Sequence, residues 1–491
     1  MPEESHLERE RRGKIARWRA EGREPFPWSF PDRTLIREVR ALTSSLAPGE
    51  EVVGRTARVA GRLLTIRAHG GTSFIDLEDA SGTLQLLLTI HELGEETYTR
   101  WLADLDPGDI VGAVGMPAVS RRGEPSLRIQ SLELLAKAIA PPPEKFHGLQ
   151  DPEERIRRRY LDLMSSAESR ERFRLRSLLT REIRHYFDAA GFLEVETPIL
   201  LRVAGGAAAA PFVTRSRYLG SELQLRISIE LSLKQLLIGG LERVYEIGRC
   251  FRNEDLDSTH SPEFTMLELY WAYADYHDMR RLMEGLFERL GARMLEWQPD
   301  SEAARSAAQL FRPPFATLDF VQALEERSGI RDLLSRPTPE LGELARRCGA
   351  TVPADSPPGV FLDKLFEHYV EPTIDRPTFV VDHPASTTPL AKRHRSLSGR
   401  VERFEIHCRG FEIGNCYTEL NDPDEQERRF QEQLTARGED RYAYDAEFVE
   451  ALRHGMPPAT GIGFGIERIV MALTGAKSIK DVILFPQVRS R

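Results

Sequence analysis

Short runs of alternating apolar and polar residues fill the chain between about residues 52 and 136. The runs are VVGRTARVAG, SFIDLED, TLQLLLT, DIVGAVG and SLRIQSLELL, and turn residues separate them. An alternation with a period of two is typical of strands that bury one face. The pattern therefore predicts a small antiparallel barrel or sandwich in this part of the chain.

Helical patterns flank this segment. Residues 3–24 mix acidic and basic side chains and end at Gly22, which predicts one solvated helix. The prolines at 141–143 can continue neither a sheet nor a helix and predict a linker. After them, apolar residues at spacings of three and four between Leu175 and Phe187 predict an amphipathic helix that Gly191 ends. For residues 285–378 the pattern predicts only helical elaboration.

Residues 243–276 form the first segment with candidate chemistry, in which two strand-like runs flank a polar loop. Because strand side chains alternate between faces, Arg252 and Glu254 share one face of the first run. Phe264, Met266, Glu268 and Tyr270 share one face of the second. If those faces coincide, an arginine, two carboxylates and two aromatic rings converge. Parity alone leaves open a solvated sheet face with ion pairs.

The C-terminal part of the chain repeats this arrangement. Asn415, Tyr417 and Glu419 share parity in GFEIGNCYTELND. In GIGFGIERIVMALTG, three alternating glycines precede a predicted helix with Arg468 in its first turn. Alternating glycines allow another group to approach the backbone closely, although a packing role is the better explanation of an isolated GxGxG. Neither GxGxxG nor GxxxxGK[ST] is found, so the common phosphate loops are excluded.

Composition narrows the class of protein. With 491 residues, 41% of them hydrophobic, the chain is long enough for two or three domains and too apolar for disorder. No run approaches the ~20 apolar residues of a membrane helix, and the N-terminal residues do not resemble a signal peptide. Four cysteines without CxxC spacing predict a cytoplasmic protein rather than a disulfide or zinc framework. The net charge of −9 does not by itself indicate a nucleic-acid partner, but a local basic surface remains possible.

Three ordered segments carry a resemblance to a known family. GFLEVETP at 191–198, FRNE…H.PEFT…E.Y near 243–272 and GIGFGIERIVM at 461–471 resemble motifs 1, 2 and 3 of class II aminoacyl-tRNA synthetases. Within that class the chain resembles the lysyl-tRNA synthetases of class IIb. The resemblance implies an α+β fold: an N-terminal OB-fold β-barrel, then a catalytic domain with an antiparallel β-sheet flanked by helices. The predicted boundaries are 1–48 (helical extension), 49–140 (OB-fold anticodon-binding domain), 141–165 (linker) and 166–491 (catalytic domain).

The resemblance also implies an activity: ATP activates L-lysine to lysyl-adenylate, and lysine then passes to the 3′-terminal adenosine of tRNA(Lys). Since the substrate carboxylate is already ionised near pH 7, positioning and charge stabilisation are the main catalytic needs. Arg252 and Arg468 match the family's catalytic residues. The implied ATP-binding residues are Arg252, Glu254, His260, Phe264, Glu405 and Arg468, with adenine between Phe264 and Arg468. The alternative for His260, less favoured, is an exposed loop histidine without a role.

Lysine recognition and metal binding are implied in the same way. The matching lysine-binding residues are Gly206, Glu230, Arg252, Glu268, Tyr270, Asn415, Tyr417 and Glu419. Of these, Glu230 and the Gly206 carbonyl match the α-ammonium site, and Glu268, Tyr270 and Glu419 match the ε-ammonium site. Glu405 and Glu412 match the family's Mg²⁺ ligands, hard oxygen donors that suit this ion when it bridges to phosphates. Without the match these two would be interpreted as surface glutamates.

The barrel and motif 1 have implied roles too. Phe74 and Gln85 have the parity opposite to the core-type residues around them, so both should face outward. With Glu124 they match anticodon-binding positions, where an exposed ring can stack on an unpaired base. Pro198 matches the motif 1 proline of the dimer interface, which implies a homodimer. The arginines at 155 and 157–159 fit either phosphate contact or a solvated linker helix. Neither a membrane nor DNA is expected as a partner.

Four departures from the family pattern leave alternatives open. Ala210 stands where an arginine is usual, Arg215-Ser216 where paired histidines are usual, Ser232 replaces a tyrosine, and Glu467 replaces an aspartate. One alternative is a paralogue that lysylates a protein or uses a lysine-like amino acid, although that paralogue lacks the barrel. An aspartate or asparagine enzyme is disfavoured because Glu268 and Glu419 would repel a substrate carboxylate. A catalytically idle binding protein is disfavoured by the intact Arg252, Glu405, Glu412 and Arg468.

Overall fold

A computed structural model describes residues 4–143, 149–254, 256–435 and 443–489. It divides into two compact units. The first comprises the chain up to residue 151 together with residues 160–165, and the second comprises residues 152–159 and everything from residue 166 onward. The domain boundaries predicted above remain predictions, and each unit is described by itself.

The first unit is built on a closed five-stranded barrel with the strand order β1-β2-β3-β5-β4. Strands β3 and β5 pair in parallel, and the other neighbours pair antiparallel. Its elements are α1 (His6–Ala20), α2 (Ile36–Thr43), β1 (Ala57–His69), β2 (Thr72–Asp79), β3 (Gly82–Thr89), α3 (Ile90–Leu93), α4 (Glu95–Asp104), β4 (Ile110–Val119) and β5 (Pro125–Ala136). The antiparallel barrel was therefore predicted correctly, apart from one parallel pair and the two helices between β3 and β4.

Helix α1 corrects the expectation of a fully solvated helix. Its Trp18 is 4% exposed and belongs to the hydrophobic core of the barrel. The indole Nε1 of Trp18 donates to Asp104, 2.8 Å away, and Arg11 donates to the carbonyl of Ala138 at 2.8 Å. The sequence pattern did not indicate this buried face, because only a tryptophan and an isoleucine form it within a run of charged residues. The area that these two side chains bury is enough to anchor the helix.

The second unit is organised around an eight-stranded sheet, in the order β12-β13-β14-β15-β16-β11-β10-β6, and a three-stranded sheet, β7-β9-β8. Its helices are α5 (Pro152–Arg157), α7 (Ala167–Ala189), α8 (Glu230–Ile238), α9 (Tyr276–Trp297), α10 (Glu302–Leu310), α11 (Phe320–Ser328), α12 (Thr338–Arg347), α13 (Pro358–Tyr369), α14 (Pro423–Thr435), α15 (Ala446–Leu452), α16 (Ile466–Thr474) and α17 (Ile479–Val482); α6 (Arg159–Ser165) lies at the division between the units. Its strands are β6 (Leu193–Glu194), β7 (Leu200–Leu201), β8 (Val213–Arg215), β9 (Glu222–Leu225), β10 (Arg243–Phe251), β11 (Glu263–Ala272), β12 (Ala316–Asp319), β13 (Thr378–Val381), β14 (Arg403–Cys408), β15 (Phe411–Thr418) and β16 (Ala459–Gly465). Two end pairs, β6–β10 and β12–β13, are parallel, and the rest of the large sheet is antiparallel.

Helices cover one face of the large sheet. The apolar stripe of α7 is buried at Leu179, Ile183 and Phe187, in one hydrophobic cluster with α9 and α16. This burial leaves the opposite face of β10, β11, β15 and β16 free to present polar side chains. Residues 285–378 are mainly helical, as predicted, but the short strands β12 and β13 also extend the sheet there.

The basic run after the proline linker is partly structural. Arg159 is 2% exposed and donates to the carbonyls of Leu484 and Lys480, at 3.0 and 2.9 Å. It therefore fits neither interpretation, phosphate contact nor solvated helix, because its guanidinium satisfies backbone carbonyls. Within the described ranges, no helix has the length and apolar character needed to cross a membrane.

Candidate active site

A cavity of about 470 Å³ opens on the polar face of the large sheet. Strands β11, β15 and β16, helices α8, α13 and α16, and the loop between β10 and β11 contribute to its wall. The sequence-predicted residues that line it are Gly206, Glu230, Arg252, Glu254, His260, Phe264, Glu268, Tyr270, Glu412, Asn415, Tyr417 and Arg468. Glu405 and Glu419 do not line the cavity. Glu405 contacts an arginine that lines it, and Glu419 contacts a lysine that is itself paired with Glu230.

Arg252 and Glu254 follow the end of β10 instead of lying on it as expected, but they line the same cavity as the β11 face that carries Phe264 and Glu268. Strands β10 and β11 pair antiparallel, and the Arg252 guanidinium lies 5.2 Å from the ring centroid of Phe264. Glu268 and Tyr270, further along β11, are 3% and 2% exposed. Because these two side chains are buried, the alternative of a solvated sheet face is wrong for this part of the strand.

One end of the cavity, here called the acidic end, is formed by Glu230 and Glu268 together with the neighbouring Glu419. Glu268 accepts three hydrogen bonds there. Its carboxylate accepts from the Ser228 hydroxyl and the Ile229 amide, both at 2.8 Å, and from the Tyr270 hydroxyl at 3.2 Å. Burial and the nearby charge of Glu230 raise the pKa of Glu268 to about 7 despite these bonds. A cation bound beside Glu268 would favour the ionised form of its carboxyl group and so lower its pKa.

Glu230 and Glu419 meet at a residue that the sequence reasoning missed. Lys234 is fully buried, and its Nζ lies 2.5 Å from a Glu230 oxygen and forms an ion pair with Glu419. Although burial disfavours its charge, the two carboxylates raise the pKa of Lys234, so the ammonium stays protonated. The available signal was the i, i+4 spacing of Glu230 and Lys234 on α8.

Burial dominates the titration of both carboxyl groups beside Lys234. It raises the pKa of Glu419 to about 8, and it also raises the pKa of Glu230. Among the described residues, Glu419 Oε1 has no hydrogen-bond partner, and its other oxygen is paired with Lys234. The site therefore contains more buried negative charge than its own lysine balances.

Asn415 and Tyr417 lie side by side on β15. The Asn415 side-chain amide donates to the Tyr417 hydroxyl at 3.0 Å, and its Oδ1 accepts from Arg403 Nε at 3.0 Å. Arg403 lines the cavity but was not predicted. Its parity with Glu405 and His407 on β14 was the signal that could have identified it.

Two glycines keep the acidic end open. Gly206 has φ +86°, and a Cβ there would lie 2.9 Å from the Ser228 hydroxyl oxygen. A Cβ at Gly461 would overlap both the Tyr270 ring and the Glu419 carboxylate. Of the alternating glycines of β16, Gly461 therefore serves the close approach of side chains, whereas a Cβ at Gly463 or Gly465 would meet atoms only at ordinary van der Waals distance.

His260 and Arg468 meet at the other end of the cavity. The His260 ring accepts from an Arg468 nitrogen at 3.3 Å through Nε2 and donates to Asp257 at 2.7 Å through Nδ1. Arg468 also donates to the Glu412 carboxylate at 3.1 Å. His260 is thus anchored at this end, although about half of its side chain is exposed.

Glu405 and Glu412 differ in their surroundings. Glu405 pairs with Arg403 at 2.5 Å and with His407 at 2.9 Å. Although burial opposes ionisation, the charge of Arg403 and the nearby histidines lower the pKa of Glu405. Glu412 faces the cavity and is one-third exposed. In the described part of the chain, no group of three or more metal-ligating side chains is found. Two carboxylates fit an ion that takes its remaining oxygens from phosphates and water, as Mg²⁺ does.

The four departures have different structural consequences. Glu467 is buried, accepts from the Thr265 amide and pairs with Arg176 at 2.6 Å, so the longer acid is accommodated. Ala210 contributes its carbonyl to the Asn253 amide at 2.8 Å. Arg215-Ser216 and Ser232 are not among the described residues that line the cavity. The departures thus leave the acidic end intact.

The barrel presents the predicted outward face. Ile75, Leu77, Leu84 and Leu86 are buried inside it, while Phe74 and Gln85 point to the outer surface. The Phe74 ring meets His69 edge-on at 6.3 Å, and Gln85 accepts from the Ser126 hydroxyl at 3.2 Å. Glu124 is exposed at the turn before β5. Their anticodon role stays a prediction.

Pro198 lies in an exposed segment of the second unit. Apolar side chains of Leu193, Ile199, Leu200 and Val213 are also exposed in this chain, each by 42–58%. Such surfaces mark interaction sites when they are contiguous. The dimer role of Pro198 stays a prediction.

Comparison with known proteins identifies two matching family models. The model described as tRNA synthetases class II (D, K and N) matches residues 151–489. The model described as OB-fold nucleic acid binding domain matches residues 57–135. The two matches correspond to the sheet unit that carries the cavity and to the closed barrel.

Similar curated proteins span nearly the whole chain. A lysine–tRNA ligase of Roseiflexus castenholzii is 45% identical, with 99% of both chains covered. Lysine–tRNA ligases of Deinococcus radiodurans and Dehalococcoides mccartyi are each 43% identical. The alignments cover 95% and 100% of this chain and 91% and 99% of those proteins.

Proposed function

Because the chain belongs to the tRNA synthetases class II (D, K and N), we propose that it is a lysine–tRNA ligase. It activates L-lysine with ATP to lysyl-adenylate and pyrophosphate, and it then transfers lysine to the 3′-terminal adenosine of tRNA(Lys). The observation that carries the choice of lysine is the buried acidic end of the cavity, where Glu230, Glu268 and Glu419 exceed the one lysine that balances them. An aspartate side chain would be repelled there.

The proposed chemistry of the first step needs no general base. A lysine carboxylate oxygen attacks the α-phosphorus of ATP, the bond to the bridging β-oxygen breaks, and pyrophosphate leaves. Arg252, at the junction between Phe264 and the acidic end, neutralises the charge that develops on the α-phosphate and orients the carboxylate. In the second step the tRNA hydroxyl attacks the acyl carbon and AMP leaves.

ATP occupies the end of the cavity formed by Phe264, His260 and Arg468 in this proposal. The adenine stacks on Phe264 beneath Arg468, with Glu254 at its amino group, while His260 contacts the phosphates. Arg252 now lies over Phe264 and has to move aside or share the ring face with the base. Glu405 and Glu412 would hold Mg²⁺, which neutralises phosphate charge when bound.

Lysine lies between the two charged groups of residues. Its carboxylate meets Arg252 and Asn415, its α-ammonium meets Glu230 and the Gly206 carbonyl, and its ε-ammonium meets Glu268, Tyr270 and Glu419. Tyr417 forms the wall beside the aliphatic stem. Paired acids suit a desolvated ammonium because a buried cation is tolerated only when it is paired and hydrogen-bonded.

The remaining parts of the proposal concern partners. Phe74, Gln85 and Glu124 bind the anticodon of tRNA(Lys), and the exposed apolar segment around Pro198 forms a homodimer. A tRNA-charging enzyme of this kind acts in the cytoplasm. Sedimentation of the purified chain tests the dimer: a mass of one chain at micromolar concentration would contradict it.

The test of the function is ATP–pyrophosphate exchange with each of the twenty amino acids singly. We expect exchange with lysine alone and its loss, by at least about 1,000-fold, in Arg252→Ala because an electrostatic contact to the reacting group is removed. Exchange with another amino acid, or with none, would contradict the proposal. Near-normal exchange by Arg252→Ala would contradict only the role of that arginine.

A further inference from the structure

Lys234 lies beside the amino-acid pocket without lining it. Its ammonium is fully buried, 2.5 Å from Glu230 and paired with Glu419. The ring centroids of Tyr270 and Phe448 are 6.0 and 5.9 Å from Nζ. The Lys234 charge is therefore directed at two carboxylates that the proposed function assigns to opposite ends of the substrate.

The charged groups that act on this lysine and on its two partner carboxylates can be counted. Helix α8 supplies Glu230 and Lys234, β11 supplies Glu268 and Tyr270, and Glu419 follows β15. The nearby thiols of Cys250 and Cys416 and the Tyr270 phenol are neutral, because burial raises their pKa values. Three carboxylates and one ammonium remain, so the fully ionised group has a formal charge of −2.

That formal charge of −2 balances the charge of +2 on the two ammonium groups of an incoming lysine. Without Lys234 the same carboxylates would have a charge of −3, and mutual repulsion would favour protonation of one of them. Lys234 draws Glu230 and Glu419 to one point, and Glu419 Oε1 still lacks a hydrogen-bond partner among the described residues. An acceptor left in this state can receive the substrate ammonium.

We propose that Lys234 is a positioning residue that fixes Glu230 and Glu419 and matches the pocket charge to a substrate with two ammonium groups. The inference rests on the proposed function and deepens it. It does not require Lys234 to touch lysine or ATP. It makes the specificity for a diamino acid depend on a lysine of the protein itself.

The test compares Lys234→Met, which keeps the apolar stem, with Lys234→Arg, which keeps the charge. We expect Lys234→Met to raise the lysine KM in pyrophosphate exchange by about 30-fold or more, with the ATP KM within about threefold. Lys234→Arg should retain more lysine affinity than Lys234→Met. Calorimetry of lysine binding at pH 7.5, in buffers of different ionisation enthalpy, should show about one more proton released by Lys234→Met than by wild type.

A double variant separates charge matching from packing, even if Lys234→Met alone fails to fold. Glu230→Gln leaves a formal charge of −1, and Glu230→Gln with Lys234→Met returns it to −2. We therefore expect the double variant to have a lysine KM equal to or lower than that of Glu230→Gln. A packing role predicts a further loss, because the effects of removing two independent contacts multiply.

The outcomes are distinguishable. A folded Lys234→Met with wild-type lysine KM and proton count would overturn the inference, as would a further tenfold loss in the double variant. If wild type supports exchange with lysine, the proposed function stands whatever these variants do. If the wild-type protein does not support exchange with lysine, both the proposed function and this inference are wrong.

Discussion

Each unit buries a lysine between two carboxylates, but the two clusters differ in what surrounds them. In the barrel unit, Lys137 bonds Asp109 at 2.8 Å and also pairs with Asp106, which Lys14 contacts as well. In the sheet unit, Lys234 pairs with Glu230 and Glu419 beside a third acid, Glu268. The first cluster has a cation for each carboxylate, and the second does not.

The pKa directions follow this difference. Although burial opposes ionisation, the bonds to Lys137 and Lys14 lower the pKa of Asp106. Burial raises the pKa values of Glu230, Glu268 and Glu419, and Lys234 compensates for only part of the increase at Glu230 and Glu419. A balanced cluster stabilises the fold, whereas an unbalanced one favours the binding of a cation. Buried charge is therefore informative only once its counter-charges are counted.

Breaking the balanced cluster should have the largest effect on stability. We expect Lys137→Met to lower the free energy of unfolding by about 3–5 kcal/mol, since buried carboxylates lose their partner. Urea denaturation measures this, and lysine-dependent exchange at 25 °C should keep its KM within about twofold. An unchanged urea-denaturation midpoint would contradict the conclusion that the cluster around Lys137 stabilises the fold.

Breaking the unbalanced cluster should affect binding instead. We expect Glu419→Gln to lower kcat/KM for lysine by about 100-fold, within the 2–5 kcal/mol typical of a truncated buried charge pair. Lys234 keeps Glu230, so the melting temperature should change little. Lysine kinetics equal to wild type would exclude Glu419 from the pocket, and an unchanged ATP KM is the control.

A change outside either cluster sharpens the comparison. Phe74→Ala removes an outward ring of the barrel, and stacking on one base is worth about 1–3 kcal/mol. We expect the tRNA KM for charging to rise about tenfold while pyrophosphate exchange is unchanged. The matched control is Thr83→Ala, an exposed position on β3. An equal fall in exchange would contradict the separation of roles between the units.

The smallest expected effect is on pH dependence. The carboxyl groups of Glu268 and Glu419 have pKa values of about 7 and 8 and must be ionised to pair with an ammonium. As the pH falls from 8.5 towards 7 both carboxyl groups gain protons, so kcat/KM for lysine should fall about fourfold from pH 8.5 to 7.5. The profile for ATP should be flatter, and Glu419→Gln should lose the upper step. A lysine profile that is flat over this range would contradict the raised pKa values.

Local regularities were determined by the sequence. The period of two predicted that Ile75 and Leu77 lie inside the barrel and Phe74 outside, and that Glu268 and Tyr270 share a face. Side-chain direction in a strand depends only on neighbouring backbone geometry, so it can be derived from spacing. The same reasoning missed the buried face of α1 because one tryptophan carries little weight in a charged run.

Only the tertiary structure decided which charges meet. No spacing rule joins Lys234 on α8 to Glu419 beyond β15, or Arg403 to Asn415, because these contacts depend on the strand order of the large sheet. Nor does the sequence give burial, which sets the cost of each charge. The residue types of the candidate site could therefore be predicted from the sequence, whereas its electrostatic balance arises from long-range packing and the exclusion of water.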